Sequence, residues 1–103
     1  MNMVVLITAK DSAEGDSIVK KLVEDRLIAC GNIVPGIKSL FWWEGKVDTA
    51  DEVLLVLKTN KKYFPEIEKT VKSLHSYDVP EIIALPIVEG SPEYLKWIEE
   101  SVR

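Results

Sequence analysis

The stretch Leu74-His75-Ser76-Tyr77-Asp78-Val79-Pro80-Glu81 gathers the single histidine of the chain, a tyrosine, two carboxylates and a proline between two apolar, periodic segments. An imidazole can move a proton near neutrality or hold a metal ion, and a phenol with a carboxylate can build a hydrogen-bonded pocket wall beside it. Because regular elements flank the cluster, a scaffold would hold these groups in place, which makes the junction the prime site candidate. Cys30 is the only thiol. It reads as a small buried hydrophobe before it reads as a thiolate ligand or nucleophile, since no basic neighbour in sequence lowers its pKa. Lys58 lies near the end of the third predicted strand and Glu81, after Pro80, near the start of the fourth, so their ends can meet within one subunit or across two.

What chemistry these residues support is bounded by their number. A structural zinc site wants four nitrogen or sulfur donors, and one histidine with one cysteine cannot make it. Copper or another divalent ion needs fewer, so His75 with a carboxylate or water, and Cys30 from the same or an adjacent subunit, form the metal candidates. The competing role for His75 is to end a helix, where it complements the dipole and bonds the last carbonyls. For Tyr77 and Glu81 it is a polar network between subunits. No glycine-rich phosphate loop, Ser-His-Asp order or catalytic carboxylate pair occurs, so no catalytic residue is assigned. Only His75 acting as acid or base, with Tyr77 and Glu81, would leave room for an enzyme.

The elements that must position the cluster follow from periodicity. Met3 to Thr8 is a β-branched apolar run, a buried strand. Asp11-Ser12-Ala13-Glu14 reads as a capping box, and Ile18, Val19, Leu22, Val23 and Leu27 then repeat at helical spacing, ending the first helix near Leu27. Ile28 to Trp43, interrupted by Pro35-Gly36, predicts a long bent strand; Glu44-Gly45 suits a two-residue hairpin turn, and a third strand runs through Val53 to Lys58. Trp42 and Trp43 then point to opposite sides, one toward a core and one toward a neighbour. Asn60 caps a second helix carrying Phe64, Ile67, Val71 and Leu74, with Pro65 in its first turn. Val79 to Val88 predicts a fourth strand, placed at an edge by Pro80 and Pro86, and Ser91-Pro92 starts a last helix.

The order βαββαβ plus a terminal helix predicts one α+β domain over residues 1–103, a ferredoxin-like sandwich with two helices on one face of an antiparallel sheet. The other face is left without cover, and the hairpin is longer than strands of five or six residues would make it. Both point to burial by other copies of the chain. Apolar residues make up 47% and charges are mixed in sign, a folded composition, while a net charge of −4 excludes a phosphate-backbone binder. The apolar opening from Met1 to Ile7 is too short to span a bilayer and has no basic leader, and a lone cysteine suits a reducing compartment, so a cytoplasmic, non-membrane protein is expected.

Four ordered pieces carry a resemblance: Ile28-Ala29-Cys30-Gly31-Asn32, Trp43-Glu44-Gly45-Lys46, Lys58-Thr59 and the Leu74 to Glu81 junction. Together they resemble the CutA family of divalent-cation tolerance proteins over essentially the whole chain. The resemblance implies a ferredoxin-like homotrimer whose hairpins extend across neighbours, a link to copper or other divalent cations, and an architecture similar to trimeric nitrogen-regulatory signalling proteins. Some members carry cysteine at the position of Ile7 and a second histidine at that of Leu74, so soft donors are scarce here. The commoner His-Pro-Tyr is His75-Ser76-Tyr77 in this chain. The expected function is a heat-resistant, non-catalytic trimer binding divalent metal weakly to moderately. The alternative is a small-ligand signalling module whose clefts between subunits use Cys30, Lys58, His75, Tyr77 and Glu81.

Overall fold

The computed structural model describes residues 1–103. Strand β1, Asn2–Ala9, turns Val5, Ile7 and Ala9 into the core and the even-numbered residues to the other face. Helix α1, Ser12–Glu24, starts where the Asp11 carboxylate accepts from the Glu14 amide at 2.8 Å. Glu14 reaches back one residue further than a capping box requires, accepting from the Lys10 amide at 3.1 Å. The helix stops three residues short of the expected Leu27. Arg26 adopts a left-handed φ of 57°, and the Arg26 and Leu27 amides bond the Val23 and Leu22 carbonyls, which is a Schellman closure. A non-glycine residue there costs about 1–2 kcal/mol. The Arg26 guanidinium offsets this by bonding the carbonyls of Glu100 and Ser101, tying the turn to the C-terminus.

Strands β2, Cys30–Trp43, and β3, Lys46–Asn60, form the long hairpin. Glu44 and Gly45 both take positive φ, 50° and 78°, the geometry a two-residue turn needs to follow strand twist. Val34 pairs with Leu54 but Ile37 pairs with Glu52, so Pro35 and Gly36 bulge opposite Val53 alone. The extra residue inverts the alternation of β2. Beyond the bulge Ser39, Phe41 and Trp43 share a face with Glu52, Ala50 and Asp48, while Trp42 turns to the opposite side. Pairing with β1 ends at Ala9 and Val53, so the seven residues of each arm nearest the turn project as a two-stranded ribbon of about 23 Å. The molecule is accordingly elongated, 45 × 26 × 22 Å.

A single 3₁₀ turn, Lys61–Tyr63, capped by the Asn60 side chain on the Lys62 amide, leads into α2, Phe64–Leu74. Strand β4, Ile82–Pro86, is half the expected length, because Pro80 brings no donor and only Ile82 to Pro86 lie beside β1. Helix α3, Pro92–Ser101, opens on Pro92, but Ser91 makes no side-chain cap bond. The sheet order is β2-β3-β1-β4, antiparallel throughout, with the 13-residue core between its odd-numbered β1 and β3 residues and α1 and α2. This is the ferredoxin-like arrangement.

The second face is not wholly bare. Asn2 Nδ2 donates to the Leu95 carbonyl and Cys30 Sγ meets Tyr94 Oη at 3.5 Å, so α3 lies over the end of that face near Asn60. Elsewhere it stays open, with Ile83 and Leu85 half exposed on β4. No helix is long and apolar enough to cross a membrane.

Candidate functional site

His75 follows α2 directly. Its amide still closes the helix on the Val71 carbonyl, but ψ of 142° swings the chain outward and turns the imidazole inward toward β1. The side chain is completely buried, and Nε2 lies 2.7 Å from the Thr8 carbonyl while the Tyr77 amide donates to Nδ1 at 3.1 Å. A carbonyl can only accept, so the proton of the neutral ring sits on Nε2. The imidazole therefore bonds β1 rather than the last helix carbonyls.

Glu14 stands on the other side of the ring, Oε1 at 3.8 Å from Nδ1, and accepts from the Ser76 amide through Oε2 at 2.9 Å. Burial pushes its carboxyl up, but hydrogen bonds from Ser76 and Lys10 together with His75 outweigh this and hold it below the ordinary value. Tyr77 packs its ring 4.8 Å from the imidazole and donates its hydroxyl to Glu52 Oε2 at 2.9 Å. Burial first, and then that carboxylate, push the phenol up to about 12. Glu52 is only 8% exposed, so the Tyr77 hydroxyl is what makes a carboxylate tolerable there.

Between this junction and the ribbon lies an open groove of about 800 Å³. Phe41 and Trp43 form one wall, Tyr77 and Val79 the other, and Asp48, Glu52, Asp78 and Glu81 give it a negative lining. The groove can take a cationic or amphipathic group; its lining carries four carboxylates and no cationic side chain.

The five sequence-derived residues fall into two sets. His75 and Tyr77 touch, and Tyr77 and Glu81 line the groove together, but the Tyr77 hydroxyl chooses Glu52 over Glu81. Cys30 and Lys58 pair across β2 and β3 beside Val4, four residues and about 13 Å along β1 from the Thr8 carbonyl that His75 holds. Within one chain, then, His75 and Cys30 do not share an ion, and Lys58 does not reach Glu81. Lys58 bonds Asn32 instead. Cys30 faces Tyr94, whose hydroxyl is pushed up by the bond to Cys30 and then by burial. No three of the His, Cys, Asp and Glu side chains converge as a metal cluster, and His75 can serve a metal only by giving up one of its two bonds.

Glu14, Glu52 and Thr8 were not legible as site residues. Glu14 carried a signal as a helix-capping acid. Glu52 carried none, because its partner Tyr77 comes from 25 residues away and Phe41 and Trp43 join its face only through the bulge at Pro35-Gly36.

Residues 3–101 match the family model described as CutA1 divalent ion tolerance protein. The divalent-cation tolerance protein CutA of Thermus thermophilus is 50% identical over 98% of each chain, and its solved structure covers both chains completely with a TM-score of 0.98. The CutA protein of Archaeoglobus fulgidus is 46% identical over 99% of each chain; its structure, described as a periplasmic divalent cation tolerance protein, gives a TM-score of 0.97. A chloroplastic CutA 1 of rice is 44% identical over 99% of this chain, which spans 58% of that protein.

Proposed function

This chain belongs to the CutA1 divalent ion tolerance family, and on that premise we propose that it acts as a homotrimer that binds divalent cations, copper among them, in a non-catalytic role. The observation that carries the assembly is the unburied ribbon. Leu40, Trp42, Trp43 and Val47 are each more than half exposed on a two-stranded projection that has no third strand to support it. Such a ribbon is marginal alone in water, and three equivalent ribbons on three equivalent open faces satisfy one another under closed rotational symmetry.

Metal binding in this reading is weak to moderate, because donors from one chain do not converge. Cys30, partly accessible and near a subunit end, is the soft donor available, with surface carboxylates of a neighbouring chain completing the set. A reducing, cytoplasmic setting belongs to the same proposal and rests on that single thiol. The relatives named periplasmic and chloroplastic act elsewhere by their names alone.

A second reading, a small-ligand signalling module with clefts between subunits, is favoured by the separation of Cys30 and Lys58 from the His75, Tyr77 and Glu81 end, since only a neighbour could unite the two sets. Light scattering should return three times the 11.6 kDa chain mass. Isothermal titration with Cu(II) should then show affinity that falls in Cys30→Ala. A stable monomer at micromolar concentration rejects the assembly, and a trimer indifferent to copper but stabilised by a metabolite favours the second reading.

A further inference from the structure

The four carboxylates that line the groove are spread along it rather than gathered at a point. No three His, Cys, Asp or Glu side chains converge as a metal cluster, these four included. Asp48 and Glu52 stand on one face of β3 with Ala50 between them, about 13 Å apart over four residues of strand. Asp78 and Glu81 answer them from the junction side. Between the charges the lining is apolar: Phe41 pairs directly across from Asp48, and Trp43 continues the same wall toward the turn. Lys46, opposite Trp43, is the nearest cation on that face of the ribbon and stays outside the lining. Glu52 adds an observation that net charge does not. It is 8% exposed, and its Oε2 takes the Tyr77 hydroxyl. Oε1 has no protein donor, yet the chain closes no unpaired polar atom away from solvent, so this oxygen opens into the groove that Glu52 lines. A carboxylate withdrawn this far is stabilised by a charged donor brought to its free oxygen.

We propose that the groove binds an aliphatic polyamine: one ammonium reaches Glu52 Oε1, others reach the carboxylates nearer the turn and on the junction wall, and the methylene runs lie against Phe41 and Trp43. Spacing selects this class. A metal ion neutralises one point and leaves the remaining carboxylates to repel one another, whereas ammonium groups separated by methylenes meet charge and apolar wall in turn. The aromatic faces add an attraction for an ammonium within about 6 Å. A volume of about 800 Å³ lies within the range of roughly 300–1,000 Å³ usual for small-molecule sites. The assignment rests on the small-ligand reading of this chain and gives that ligand a chemistry.

The test is isothermal titration of the full chain, freed of metal, with spermidine at about 0.15 M salt, where attraction between distant exposed charges is screened. Spermidine should bind at least about tenfold more tightly than butylamine, which carries one ammonium, and than magnesium ion. Glu52→Gln, which keeps an acceptor for Tyr77, and Glu81→Gln should each weaken spermidine about tenfold. Glu24→Gln, an exposed acid on α1 outside the groove, should leave it unchanged. Glu81 is itself exposed, so its variant decides if Glu52→Gln does not fold. No spermidine binding, equal affinity for butylamine or magnesium, or equal losses in Glu81→Gln and Glu24→Gln overturns the polyamine. Stabilisation by a metabolite of other charge, with no spermidine binding, overturns it too and spares the small-ligand reading. Light scattering on the same samples reads the assembly separately. A trimer without spermidine affinity, its groove filled by a neighbour, overturns the site alone, whereas a single chain that binds spermidine upholds the site and rejects the trimer.

Discussion

The Tyr77 hydroxyl donates to Glu52 Oε2 at 2.9 Å, joining the α2–β4 junction to the first residue pair of the ribbon beyond the bulge. One bond thus couples a helix end to a strand that sequence places 25 residues away.

Tyr77→Phe should destabilise the chain by about 1–3 kcal/mol, because it leaves a buried carboxylate without its donor. The phenol is raised from 10.0 to about 12, so the folded state holds its proton more tightly than the unfolded one. Its contribution is complete below pH 10 and is lost as pH rises toward 12. Stability read from denaturant melts should fall between pH 10 and about 12 in the native chain, and Tyr77→Phe should lack that component.

Glu14 is displaced in the opposite direction, below its ordinary 4.5. The stability it supplies is present above that value and disappears as pH falls through the lower folded one. Glu14→Gln, which keeps the shape and removes the charge, should cost about 1 kcal/mol at neutral pH and flatten the acid limb of the stability curve. An unchanged acid limb would show that other carboxylates govern it.

Gly31 lies where α1 presses on the sheet. A Cβ there would meet Val19 Cγ1 at 2.8 Å and Leu57 Cδ2 at 2.9 Å, both core side chains with little freedom to retreat. Gly31→Ala should therefore lower stability by about 1–3 kcal/mol, read as a shift in denaturation midpoint at constant m-value. A neutral outcome would mean that the contact relaxes without strain.

Ile83 is 49% exposed on β4, facing away from α1 and α2. A lone chain should tolerate arginine there, whereas an assembly that buries this face should not. Ile83→Arg is expected to scatter light as a single chain, with its melting midpoint falling from above the usual mesophile range of roughly 45–65 °C into it. A variant that keeps three times the chain mass would move the interface off this part of the sheet.

Much of the fold was legible because it rests on local rules. The Asp11 cap, the Glu44-Gly45 turn, the apolar alternation of β1 and β3 and the first-turn Pro65 each act through neighbours in sequence, and each stands where chain order places it. Their succession determined the ferredoxin-like arrangement, and the junction from His75 to Glu81 was recognisable from its residue types. What only tertiary structure decided depends on register and on distant partners. The bulge at Pro35-Gly36 reverses the facing of β2, and so puts Phe41, Trp43 and Glu52 on one wall. Arg26 halts α1 early through carbonyls at the far end of the chain, and α3 settles over a sheet face that chain order alone left bare. The separation of Cys30 and Lys58 from His75 belongs here too, for it follows from their pairing at one end of β3 while His75 reaches β1 at the other. A side chain's type travels with the sequence; the atom it meets is chosen by elements that pack from elsewhere.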